Sequence, residues 1–176
     1  YYAANIYYEF KDSEEIPREM GTLEEEQKIN ELATLRVIGL TIETRPDYVI
    51  SPEEDRYEIV RFYRRLGVTR VQIGVQHTDD ALLRKVNRGH GIKQSKAAVK
   101  LLKDYGFKVE IHIMTDLPGA TPEGDMECYR QVLMGEDLIP DYMKDYPCLD
   151  VDFTKIKEWK AEGKWVPYAE ATPDAS

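Results

Sequence analysis

Three short alternating runs carry the side chains best placed to do chemistry. Val37–Asp47 contains Glu43, Arg70–Gln76 ends on Gln76, and Lys108–Met114 contains His112. Strand side chains alternate between faces. Ile38, Leu40 and Ile42 therefore oppose Gly39, Thr41 and Glu43. Val71, Ile73 and Val75 oppose Gln72, Gly74 and Gln76, and Val109, Ile111 and Ile113 oppose Glu110, His112 and Met114. Each strand has one apolar face and one face of small and polar groups. A doubly wound sheet covered by helices on both sides should be apolar on both faces. A polar inner face fits a complete or partial βα barrel whose lumen holds a ligand, with Glu43, Gln76 and His112 at matching strand ends. The opposing reading leaves Gln72 and Glu110 in solvent on an edge or antiparallel sheet. His112 taken alone is more often a structural, hydrogen-bonded histidine; its register with Glu43 and Gln76 makes the two readings even.

The flanking elements favour the barrel. Helix, glycine and strand recur as Leu66-Gly-Val-Thr-Arg-Val-Gln-Ile-Gly74 and Tyr105-Gly-Phe-Lys-Val-Glu-Ile-His112, with a period near 38 residues. Successive βα units of a parallel sheet produce such a repeat. Thr22 followed by Glu25 is a capping box that predicts a helix to about Leu35. Ser51-Pro52-Glu53-Glu54 predicts another helix start, with Ile59, Phe62, Tyr63 and Leu66 on its buried face. A helix with Ala98, Leu101, Leu102 and Tyr105 on one face precedes the third strand. A further helix spans about Glu123–Met134, a strand lies within Tyr142–Val151, and a last helix runs from Phe153 to Gly163. Residues 1–11 read as a helix, 12–21 as a loop, 1–168 as part of one barrel domain, and 169–176 as a flexible tail.

The loops add cations. Arg45, held extended by Pro46, suits either an anionic ligand or an ion pair with Asp47 or Glu43. Asn87-Arg88-Gly89-His90-Gly91 places two glycines around a cation; it fits a phosphate or carboxylate, or a plain connection between helices. Arg84, Lys85, Arg88, Lys93, Lys96, Lys100 and Lys103 form the basic concentration, read either as a nucleic-acid contact or as a solvated helix face.

The chain has 176 residues, 42% hydrophobic and 32% charged, with a net charge of −9 and two cysteines. These values fit a soluble domain, exclude a disulfide framework and provide no stretch long enough to span a membrane. They predict a cytoplasmic, reducing location. The acidic balance argues against strong nonspecific phosphate binding by these residues alone. No phosphate-binding loop, nucleophile elbow or zinc motif is present.

Gly39-Leu-Thr-Ile-Glu-Thr-Arg-Pro-Asp47, Val71-Gln-Ile-Gly-Val-Gln76, Asn87-Arg-Gly-His90, His112-Ile-Met114, Leu117-Pro-Gly119 and Pro140-Asp-Tyr-Met-Lys144 together resemble one family. It is the radical S-adenosylmethionine (SAM) core of the Elongator catalytic subunit, the tRNA uridine acetyltransferases. The resemblance covers about residues 22–168. It implies a partial (βα)n radical SAM barrel, SAM, a [4Fe–4S] cluster and acetyl-CoA as co-substrate. It also implies a radical that takes hydrogen from the acetyl group, whose carbon then joins C5 of a wobble uridine in tRNA. By resemblance, Glu43, Gln76, Arg88 and His112 bind the cofactor: a carboxylate suits its ammonium, an amide its ribose, and Arg its carboxylate. Lys144 takes the catalytic position, facing the acetyl-CoA or SAM side. The cluster cysteines are expected before Tyr1; no metal ligand is assigned within the chain, and Cys128 and Cys148 match no cluster position. The resemblance further implies tRNA, other Elongator-type subunits or a second copy as partners, and no membrane. Asp145, Asp150, Asp152 and Phe153 depart from the family pattern. Two alternatives stay open: a degenerate barrel kept as a binding or structural subunit, and a radical SAM enzyme with a small-molecule substrate.

Overall fold

The computed structural model describes residues 1–10, 18–51 and 55–171, and for 8–10, 169 and 171 the backbone alone. Its centre is a four-stranded parallel sheet of β1 (Thr41–Thr44), β2 (Arg70–Gln76), β3 (Lys108–Thr115) and β4 (Tyr142–Pro147), in the spatial order β1-β2-β3-β4. The order never reverses. Crossovers of one hand then leave every helix on the same side, as in a barrel wall rather than a doubly wound sheet. The repeat seen in the sequence is the sheet register: Arg70 lies beside Lys108, and Gln72 beside Glu110, 38 positions apart.

Helices α1 (Tyr2–Phe10) and α2 (Leu23–Leu32) precede β1. α2 starts at the predicted capping box: Thr22 Oγ1 accepts from the Glu25 N–H, and the Glu25 carboxylate accepts from the Thr22 N–H. Arg18 clamps Glu26 through two bonds of 2.6 and 2.7 Å, and that bonding pulls the Glu26 carboxyl down to about 2. The Asn30 side chain both donates to and accepts from the Val37 backbone. That pairing holds the chain extended before the ladder begins, so β1 covers only Thr41–Thr44 of the run Val37–Asp47.

α3 (Pro46–Val49) and α4 (Arg56–Arg65) connect β1 to β2. Residues 11–17, 52–54 and 172–176, on which the end of the first predicted helix and parts of a predicted loop, helix start and tail fall, lie outside the described residues. Asp55, not Ser51, caps α4, its carboxylate accepting from the Tyr57 N–H. The buried stripe of α4 also differs: Val60 is fully buried and Tyr63 and Leu66 pack beside it, whereas Phe62 is half exposed with the Arg65 guanidinium over its ring. An arginine cover lets the aromatic ring stay on the wet side.

α5 (Asp80–Lys85) and α6 (Ile92–Asp104) follow β2, α7 (Pro122–Met134) follows β3, and α8 (Lys155–Ala161) and α9 (Tyr168–Ala171) follow β4. Residues 168–171 of the segment next to the predicted tail boundary thus form a helical turn. Val71, Ile73, Val75, Val109, Ile111 and Ile113 are buried and pack under Val60, Ala98, Val99, Leu102, Cys128 and Val132. Each valine, isoleucine or leucine among them contributes about 1.5–3 kcal/mol of burial energy. A second cluster joins Leu82, Leu117, Cys148 and Trp165, bringing the chain after β4 back over the strand ends.

Gly67 and Gly106 end α4 and α6 in the left-handed region, at φ 82° and 77°. Nothing lies within 4 Å of a side-chain carbon built on Gly106. Gly106→Ala is therefore a clean test of backbone strain and should cost about 1 kcal/mol. A lowered urea midpoint with an unchanged slope is the expected result, and an unchanged midpoint would refute the role of φ there.

Candidate functional site

The inner face of the sheet is built around a buried carboxylate. Glu110 lies mid-strand in β3, its side chain 3% exposed, between Gln72 of β2 and Tyr142 of β4 in register. Its Oε1 accepts from Gln72 Nε2 at 3.0 Å and from Lys144 Nζ at 2.7 Å. Arg70 Nη1 is 3.3 Å from Oε2, while Arg70 Nε donates to Thr41 and the guanidinium stacks on Tyr142. Burial pushes the Glu110 carboxyl up. The hydrogen bonds from Lys144 and Gln72 and the Lys144 charge outweigh that and hold it below the ordinary glutamate value. The same hydrogen bond raises Lys144 above an ordinary lysine, against partial desolvation.

His112 completes the group. Its Nδ1 stands 3.5 Å from Glu43 Oε1 and its Nε2 3.4 Å from Glu110 Oε1, and the Tyr146 ring meets it edge-on at 5.6 Å between centroids. Glu43, His112 and Lys144, from three strands, are thus brought together, with Glu110 between the last two; of the expected trio Glu43, Gln76 and His112, Gln76 lies apart from this group. The expected level of Glu43 is corrected. It lies beside Gln72, not Gln76, in the β1–β2 register, and the β2–β3 register shifts only beyond that pair, between Ile73 and Gln76. A bulge adds a residue to one strand and moves every later side chain along it.

Gln76 sits beyond that bulge with φ 71°, and the His77 N–H bonds back to the Val75 carbonyl at 2.9 Å. A three-residue turn with positive φ is rare and strained. The amide folds back against Gly74, where a side-chain carbon would come within 2.8 Å of Gln76 Nε2. Gln76 is buried, and its Oε1 accepts no hydrogen bond among the described residues.

Arg88 belongs to a separate group on the neighbouring loops. No hydrogen bond among the described residues joins it to Glu43, Gln76 or His112. It is half-buried; desolvation, then the nearby Arg45 charge, lowers it, and Asp47 works the other way. Arg45 is held by Asp47 in a two-bond pair, Nε to Oδ1 at 3.0 Å and Nη2 to Oδ2 at 2.6 Å. Of the two readings of Arg45, the ion pair with Asp47 is the one present. A side chain on Gly89 would collide with the Arg45 guanidinium. His90 donates from Nε2 to the Val75 carbonyl at 3.3 Å, and burial lowers its imidazole below the ordinary range.

A buried network at the strand ends escaped the sequence reading. Asp79 N–H donates to His77 Nδ1 at 3.0 Å, which leaves Nε2–H to donate to Asp125 Oδ1 at 3.1 Å. Asp125 Oδ2 accepts from the Asp116 N–H and from the Tyr168 hydroxyl, and the Tyr168 N–H donates to Asp116. The network ties β2, β3, α7 and α9 together. Asp125 carried only the signal of an acid in a first helical turn.

Other expectations resolve plainly. Lys96 pairs with Asp137 and Lys100 with Asp104, which suits a solvated helix face. Asp145 is accommodated by Tyr129, which burial and a hydrogen bond to that carboxylate push up. Cys128 and Cys148 sit in different apolar clusters; burial raises both thiols, Cys148 to about 11. Among the described residues no group of three His, Cys, Asp or Glu is placed to hold a metal. No helix of those residues is long and apolar enough to cross a membrane.

The sheet order and the polar inner face define a barrel wall of one class: the radical SAM superfamily model matches residues 6–131, and the chain belongs to that superfamily. Within it, the chain is 40% identical over 153 residues to a tRNA uridine(34) acetyltransferase of Methanocaldococcus infernus, covering 87% of this chain and 28% of that protein. It is 41% identical over 152 residues to the protein of that name in Dehalococcoides mccartyi, covering 86% of this chain and 32% of the relative. The structure of the archaeal Methanocaldococcus infernus Elp3 with an N-terminal deletion (1–46) superposes with a TM-score of 0.78 at 40% identity, over 86% of this chain and 34% of that one. The chain therefore spans about a third or less of the length of these relatives.

Acid should reach the site through Glu110. Its folded value lies below the ordinary 4.5, so its contribution is full above pH 4.5 and is lost as pH falls through the folded value. Lys144 has the opposite sign: its contribution is full below 10.5 and is lost as pH rises past it. Denaturant midpoints followed downward from pH 4.5 should therefore fall more steeply for the wild type than for Glu110→Gln. Parallel declines would show that the buried carboxylate is not the titrating element.

Proposed function

We propose that this chain is the barrel part of a radical SAM enzyme that attaches an acetyl-CoA-derived carboxymethyl group to C5 of the wobble uridine of tRNA. The observation that carries the reading is Gln76. A buried amide with an unused oxygen, on a strained turn above a glycine, beside a polar inner face, is what a bound polar ligand would complete. SAM fits that face. The Gln76 amide suits ribose hydroxyls, the Glu43 carboxylate suits the ammonium, and the half-buried Arg88 suits the carboxylate of the methionyl group. His112, framed by Glu43 and Glu110, borders the same space, and Lys144 presents an ammonium to it. When bound, SAM supplies the hydrogen-abstracting radical chemistry, while the residues of the barrel orient it and exclude water.

The described residues do not fit the [4Fe–4S] cluster. Two buried, protonated cysteines in separate clusters cannot supply three thiolates. Its ligands, and the acetyl-CoA site, are assigned to other parts of the full protein. The whole activity, the tRNA partner, Elongator-type subunits or a second copy, and a cytoplasmic location belong to that full protein. We assign residues 1–168 to the barrel, with α9 carrying the expected tail's first residues as a helical turn to Ala171. The names of the relatives and the shared fold support this reading over a small-molecule substrate.

Titration of the full protein with SAM tests the site. Gln76→Ala should weaken binding about tenfold, the cost of one lost polar contact from a buried partner. Unchanged affinity would remove Gln76 from the site. A transfer-RNA affinity that falls steeply with salt is expected of the same protein, and salt-independent binding would count against the tRNA substrate.

A further inference from the structure

We propose that Glu110 is a positioning residue of this site: it aims the Lys144 ammonium into the lumen. The inference rests on the lumen reading above. Glu110 is itself closed to a ligand. Gln72 and Lys144 occupy Oε1, Arg70 approaches Oε2, and the side chain is 3% exposed. Lys144 is 45% exposed, so its remaining N–H groups face outward from a fixed anchor. A four-carbon stem loses most of its rotamer freedom when its end is tethered, and the residual donors become directional.

Charge bookkeeping separates positioning from simple attraction. The groups facing Lys144 and His112 are Glu43 from β1, Arg70 from β2, Glu110 from β3 and Tyr146 from β4. The two carboxylates balance the Arg70 and Lys144 cations. A buried carboxylate weakens the attraction of this surface for an anion, so recruiting a phosphate does not explain its presence. Holding a lysine donor toward an uncharged acceptor, such as an acyl or base carbonyl, does.

Competitive labelling of lysines with acetic anhydride in the full protein, read by mass spectrometry, tests the tether without any cofactor. Glu110→Gln should raise the reactivity of Lys144 roughly threefold or more at alkaline pH relative to Lys108, whose partner is Asp141. An unchanged ratio overturns the proposal. Should the variant fail to fold, the wild type decides alone: Lys144, held 2.7 Å from Glu110, must label more slowly than exposed Lys93, and equal or faster labelling overturns it. In turnover, Glu110→Gln should lower kcat about tenfold or more while KM for acetyl-CoA stays level or falls. A raised KM with kcat intact means that Glu110 recruits rather than positions, and overturns the proposal. Labelling is independent of SAM, so it stands or falls separately from the SAM affinity of Gln76→Ala.

Discussion

One charge buried in the middle of a parallel sheet constrains most of what surrounds it. An isolated buried carboxylate costs several kcal/mol, and the cost is recovered only by close partners of good geometry. Glu110 finds them on both flanking strands, Gln72 and Arg70 on one side and Lys144 on the other. The inner face therefore has to be polar across β2, β3 and β4. The outer face is left to Val71, Ile73, Val109 and Ile111, and the helices gather there. A sheet so divided cannot be covered by helices on both sides. Its polar face suits the inside of a barrel wall, the geometry of the superfamily.

The rim adds strain to that polar wall. Gln76 is held in an unfavourable turn by bonds that it does not itself make. The Val75 carbonyl accepts from the His77 N–H and the His90 ring, and the His77 ring is fixed by Asp125. Asp125 in turn accepts from the Tyr168 hydroxyl and an Asp116 amide. A network that over-determines a strained residue is the arrangement in which such strain persists, and it clusters at binding sites. The chain after β4, anchored by Trp165 and Tyr168, thus supports the site from outside the sheet.

What could be read from the residues alone follows the reach of each signal. Alternation is local, so the two faces of β1, β2 and β3 were legible, as were the capping box at Thr22 and the glycine stops of α4 and α6. The level of Glu43 was not, because alternation fixes the face a side chain takes and not the stagger of one strand against the next. Lys144 entered only through family resemblance; β4 carries polar residues on its inner face and Asp145 outside, so its periodicity is weak. The His77–Asp125–Tyr168 network joins residues 43 and 48 positions apart, and spacing along the chain cannot show that. Arg88 stands beside Arg45 and Asp47, a neighbourhood that spacing along the chain does not show.

The central claim is that the polar inner face of this sheet, from Glu43 to Lys144, is the wall of a SAM-binding lumen. A structure of the full protein with S-adenosylhomocysteine bound tests it most directly. The account predicts the nucleoside against Gly74, with its ribose hydroxyls at the Gln76 amide oxygen and its amino-acid end toward Glu43 and Arg88. Ligand bound on the helical side of the sheet, or a Gln76 amide still unpaired beneath it, would contradict the account.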